Sequence, residues 1–156
     1  MYTLCVIDMQ NFFFAARNKE TINNVKEEII KAKRRNYSVI YVKYDLSPWT
    51  NNKWDSSLTS GLSEITRFYR NKYTVIKNQD DGADEVFRFL KQKNLPLKLR
   101  IAGCNSNVCV LYTVETLIQK YNIKIDIVKK ATSSDNYNEH LLALKLFNTM
   151  KNVKVI

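Results

Sequence analysis

The chain has 156 residues, and 25 lysines and arginines against 15 aspartates and glutamates leave it a formal charge of +10 at pH 7. One histidine, three cysteines and three glycines exclude a centre built from several histidines, a disulfide framework and a glycine-run phosphate cradle. With 45% apolar and 12% aromatic residues the chain can fill a core, which excludes intrinsic disorder and leads us to expect one domain over 1–156. No apolar run approaches the roughly 20 residues that span a bilayer, and MYTLCVIDMQ lacks the pattern of a leader. A cytoplasmic protein with reduced thiols and no membrane partner is the expectation.

Tyr2 to Ile7 is apolar on both faces and reads as a buried strand of a parallel sheet. From Ile22 to Arg35 the apolar Ile22, Val25, Ile29, Ile30 and Ala32 recur near helical spacing, which predicts an amphipathic helix. Ser38 to Lys43 is a second strand, and Asp45 to Gly61, with Pro48, Trp49 and Trp54 among many Ser, Thr and Asn, reads as a loop or lid. Leu62 to Arg70 reads as a helix before strand Tyr73 to Lys77, followed by a turn at Asp80, Asp81 and Gly82 and a short helix from Asp84 to Gln92. Strand Leu97 to Ala102 runs into GCNSN, then come helix Val108 to Tyr121, strand Lys124 to Val128, helix Glu139 to Met150 and strand Val153 to Ile156. Strands alternating with helices predict an α/β fold: a doubly wound, Rossmann-like, six-stranded and mostly parallel sheet with helices on both faces.

Ligands of such sheets bind beyond the carboxyl ends of the strands. Asp8 ends the first strand, Lys77 the third, and Gly103 the fourth, with Cys109 in the first turn of the next helix. A thiol there feels the positive end of the helix dipole, and a nearby ammonium favours thiolate further, so Cys109 is expected to be nucleophilic near neutral pH. Asp8 is placed to accept its proton, and burial at a strand end would raise a carboxylate toward the range a general base needs. Amides of the glycine turn would face an oxyanion.

VIDMQNFF, Lys77 at a later strand end, and IAGCNSNVCVLYTVETL followed by a strand and a helix bearing His140 resemble the isochorismatase-like cysteine hydrolases over nearly the whole chain. The resemblance implies a triad of Asp8, Lys77 and Cys109. It also implies a cis peptide between Cys104 and Asn105, with oxyanion amides from Asn105 and Cys109. A small-molecule substrate, hydrolysis of an amide or related C–N bond through an acyl-enzyme, and a homo-oligomer follow as expectations. Members that hydrolyse nicotinamide hold a metal through an Asp and histidines after the second strand, but here Asp45 is followed by LSPWT. No metal and no cofactor are therefore expected. Other departures are Phe12 in place of an Asp, Ser106-Asn107 in place of Thr-Asp, and NQDDGADE without the usual aromatic.

Phe13 and Trp49 are candidate pocket walls for a planar substrate, whereas Cys5 and Cys104 read as structural and His140 as a helix-start residue making local hydrogen bonds. Two other readings stand beside the hydrolase. Asp80, Asp81 and Asp84 with Asp8 and Asn11 would suit Mg²⁺ in a PIN- or NYN-type nuclease, whose nucleic acid partner the positive charge would favour. That reading leaves the glycine and cysteine motif unexplained. The third is a binding protein that keeps the fold without turnover.

Overall fold

The computed structural model describes residues 1–47 and 57–156. Its elements run β1 (Thr3–Ile7), α1 (Lys19–Arg34), β2 (Val39–Tyr44), α2 (Leu62–Ile65), β3 (Lys72–Lys77), α3 (Ala83–Gln92), β4 (Lys98–Gly103), α4 (Cys109–Tyr121), β5 (Lys124–Thr132), α5 (Tyr137–Thr149) and β6 (Val153–Val155). The sheet has six strands in the order β3-β2-β1-β4-β5-β6, and every pairing is parallel. Winding proceeds outward from β1 through β2 to β3, then β4 returns to the other side of β1. The reversal of strand order thus falls between the ends of β1 and β4, where Ile7 pairs with Gly103 and a crevice opens beyond the strands.

Each face of the sheet is covered. Cys5, Ile7, Ile40 and Val42 pack with Val86, Val110, Val114 and Phe147 of α3, α4 and α5, whereas Leu4, Val6, Val39 and Tyr41 pack with Val25, Ile29 and Ala32 of α1. The period-two alternation within β1 and β2 sends successive side chains to opposite cores, which is why these strands are apolar on both faces. Asn18 starts α1 by accepting a hydrogen bond from the Thr21 amide, and Asn136 does the same for α5 from Asn138 and Glu139. No helix among the described residues is long and apolar enough to cross a membrane.

Two elements differ from the sequence reading. The helix expected from Leu62 to Arg70 stops at Ile65 because the Tyr41 hydroxyl donates to the Leu62 carbonyl and the Thr66 amide turns to Ser63 instead. Strand β5 extends four residues past Val128, with a shift in register against β4 between Ile101 and Gly103. Tryptophans 49 and 54 of the expected lid lie outside the described residues. Its later end returns beside the residues that follow β1, where Leu58 bridges to Gln10 and the Thr59 amide donates to the Met9 carbonyl.

Gly103 has φ 120°, and a Cβ there would meet the Ile7 carbonyl oxygen at 2.0 Å. That contact is backbone and has nowhere to move. Gly103→Ala should destabilise the fold by about 3 kcal/mol or more and lower Tm by on the order of 10 °C, read by thermal unfolding.

Candidate active site

The first strand delivers Asp8 to the crevice in a left-handed conformation, φ 49°, which Asp tolerates better than most residues. Its amide donates to the Val42 carbonyl of β2, and its own carbonyl accepts from the Cys104 thiol at 3.3 Å. Cys104 is fully buried and serves as a prop, with its thiol pushed well up by desolvation. Lys77 closes β3, and its ammonium lies 2.9 Å from Asp8 Oδ2. Both side chains are sealed from water. The other two ammonium hydrogens have partners as well, the carbonyls of Gln79 and Asp80 at 3.0 Å each, and the Tyr44 ring lies 4.5 Å from the nitrogen. A lone lysine is ordinarily solvated; this one is 1% exposed and held on all sides.

Cys109 is the first residue of α4, 4% exposed. Its thiol donates weakly to Asp80 Oδ1 at 3.8 Å and lies near enough to Asp8 to help draw that carboxyl's pKa down. The Asp8 oxygens have no conventional hydrogen bond beyond the ion pair, which leaves lone pairs open to that proton. Burial is the largest influence on Asp8 and raises its pKa, against the Lys77 charge, which lowers it. Burial and the Asp8 charge also push the Cys109 thiol up, and Lys77 only partly opposes them. These influences run against the thiolate expected from the helix start: a second negative charge beside a buried carboxylate is disfavoured, and the helix dipole and one ammonium oppose that only in part.

Between these groups runs the turn Gly103 to Val108. The Cys104–Asn105 peptide bond is cis, Ser106 donates from its amide to Ser133, and the amides of Asn105 and Cys109 donate to no acceptor among the described residues. The Asn105 side chain accepts from the Asp135 amide, which anchors the turn to the end of β5. His140 reaches this turn too, with Nδ1 2.9 Å from Ser106 Oγ, so its bond is a tertiary contact rather than the local one expected.

Phe12, Phe13, Tyr44, Leu46 and Asp80 line a cavity of about 290 Å³, in which Tyr44 touches Lys77 and Asp80 touches Cys109. Phe13 is thus a pocket wall, and Trp49 lies outside the described residues. A larger cleft of about 610 Å³, lined among others by Arg17, Lys129 and His140, contains none of Asp8, Lys77 and Cys109. Sequence reasoning gave Asp80 only a turn or a metal, and gave Tyr44 nothing. The signal for both was their spacing from the strand ends, three residues beyond Lys77 and one before Asp45.

The donors of a metal site do not fit. Asp45 accepts from the Ser47 amide at 3.0 Å in an exposed turn, no histidine follows it in LSPWT, and the single histidine is bonded to Ser106. Asp81 accepts from Ala83 and Thr116, and Asp84 from Lys120 and Tyr121, so neither points its carboxylate into the crevice with Asp8. Among the described residues no three such groups gather.

The sequence model of the isochorismatase domain matches residues 2–155. The fold is similar to that of a nicotinamidase from Staphylococcus aureus, with a TM-score of 0.85 at 18% identity over 99% of this chain and 96% of that one. A pyrazinamidase of Pyrococcus horikoshii in complex with zinc gives 0.78 at 18% identity over 99% and 98%. The MAR1 ribonuclease from Caenorhabditis elegans gives 0.77 at 19% over 92% and 70%. No protein of curated function matches the sequence.

Removing the ammonium alone would strand a buried carboxylate. Lys77→Met should therefore cost about 3–5 kcal/mol in urea unfolding at neutral pH, and Lys77→Met/Asp8→Asn should recover most of the loss.

Proposed function

The chain belongs to the isochorismatase family of hydrolases, and from that premise we propose that it cleaves a small amide, or a related C–N bond, through a thioester on Cys109 without a metal. The observation that carries this reading is the buried Asp8–Lys77 pair beside the sulfur of Cys109 at a helix start. The thiol adds to the substrate carbonyl as its proton passes to Asp8, and the amides of Asn105 and Cys109 hold the resulting oxyanion. Collapse expels the amine, which takes the proton back from Asp8. A water then adds to the thioester with Asp8 again as base, and the acid leaves with the thiol restored.

Lys77 in this scheme never exchanges a proton. It fixes the carboxylate and keeps negative charge tolerable in a dry site while that charge moves from Asp8 to the oxyanion. The thiol needs no resting ionisation, because deprotonation is coupled to attack. Asp8 is an acceptor only when ionised, so kcat/KM falls as pH drops through the apparent pKa of the pair. Its raised value places that acid limb above the ordinary carboxylate range of about 4.

Neighbours on the same fold are named for nicotinamide or pyrazinamide hydrolysis and for RNA cleavage, so likeness of fold does not choose the chemistry. The side chains favour the amidase: Asp81 and Asp84, which the nuclease reading needs, are spent on Thr116, Lys120 and Tyr121.

With pyridine and pyrazine carboxamides as the first substrates, Cys109→Ala and Asp8→Asn should each lower kcat by about three orders of magnitude or more. A chelator should leave the rate unchanged, and a covalent adduct of acyl mass should form on Cys109. Loss of activity on chelation, or divalent-dependent RNA cleavage that survives Cys109→Ala, would refute the scheme.

A further inference from the structure

The charge around the thiol runs against the charge of the chain. Asp8 and Lys77 cancel, and the ammonium spends its remaining hydrogens on the carbonyls of Gln79 and Asp80 rather than on the Asp80 carboxylate. That carboxylate is exposed to the cavity and forms no ion pair with the cations of the described residues. Among the described residues its one hydrogen bond is from the Cys109 thiol at 3.8 Å, a weak donor. Among the described residues the crevice therefore holds one negative charge without a paired cation, in a protein of +10.

The remaining walls have the same preference. Phe12, Phe13 and Tyr44 present aromatic rings, Phe12 meeting Phe13 edge-on at 5.2 Å and Phe13 meeting Tyr44 at 6.4 Å. Ring faces attract cations, as Lys77 over Tyr44 already demonstrates within this site. The basic residues elsewhere do not cancel this, because charges beyond about 8 Å are largely screened at physiological salt, whereas Asp80 would be in contact with the ligand. The volume suits one ring with a small substituent rather than a polymer.

We propose that Asp80 is a specificity-determining residue that selects flat substrates bearing a positive charge, a cationic nitrogen heteroaromatic amide being the simplest form. Turnover of such a substrate rests on the amidase reading, but its selection by charge does not. Nothing in the scheme above needs Asp80, whose backbone carbonyl alone supports Lys77.

The test separates binding from turnover. A neutral pyridine carboxamide and its N-methylpyridinium counterpart, which share shape and differ in charge, are titrated calorimetrically into Cys109→Ala protein. The cation should bind at least about tenfold more tightly, and Asp80→Asn in the same background should bring the two within about threefold. Asp80→Glu should restore the preference. Equal affinities before the Asp80 change, a preference that survives Asp80→Asn, or failure of the cation to bind would each overturn the proposal. Rates on the wild-type protein are then read separately: a cation that binds through Asp80 and is not hydrolysed overturns the amidase reading and leaves the selection by charge intact.

Discussion

Two charges cut off from water, the Asp8 carboxylate and the Lys77 ammonium, face each other at 2.9 Å where the strand order of the sheet reverses. Such a pair is costly to bury, and its mutual attraction repays the desolvation only when the remaining hydrogens and lone pairs are provided for. Here the provision is unusually complete on one side and incomplete on the other. The ammonium has the carboxylate, two carbonyls and an aromatic face. The carboxylate has the ammonium and otherwise only a neighbouring thiol. An acceptor left short of donors inside a dry crevice suits the base of the proposed scheme, and the surrounding structure keeps it there.

Most of the local architecture serves that placement. Asp8 accepts a left-handed backbone, Cys104 props its carbonyl from below, and Gly103 lets β4 pass close to Ile7 without a Cβ in the way. Because β1 lies between β2 and β4, Asp8 can touch groups brought by both halves of the fold, Lys77 from one and Cys109 from the other. The reactivity of the sulfur then depends on its neighbours rather than on its own acidity. Burial and the adjacent carboxylate push its pKa up, and in the proposed scheme a nucleophile forms only when a substrate carbonyl is present to receive the charge. A resting thiolate would be open to oxidation and alkylation; a thiol paired with a buried base is not.

Much of this was legible in the sequence, and the rest was hidden for physical reasons. Doubly apolar strands, alternating helices and three reactive residues at strand ends are local patterns, and they led to the parallel sheet and to Asp8, Lys77 and Cys109. The truncation of the helix after Leu62 was not local, since it depends on the Tyr41 hydroxyl reaching across from β2. His140 looked like a helix-start residue because its partner, Ser106, is 34 positions away. The upward push on the Cys109 thiol was hidden for a similar reason. A helix N-terminus can be read from order along the chain, but the depth of burial and the nearness to Asp8 that oppose it come only with the fold. Asp80 was visible as a residue and not as a charge, because only the structure shows that the ammonium beside it is already satisfied.

The proposed scheme turns on a thiol that stays protonated at neutral pH until a substrate arrives, beside the Asp8 carboxyl that takes its proton. Thiolate absorbs in the ultraviolet and thiol does not, so the difference spectrum between the wild-type protein and Cys109→Ala, followed by pH titration, reads the state of this one sulfur. The account predicts no thiolate signal at neutral pH and its appearance only in the alkaline range, above the ordinary cysteine pKa of about 8.5. A full thiolate signal at neutral pH, lost on Cys109→Ala, would contradict it.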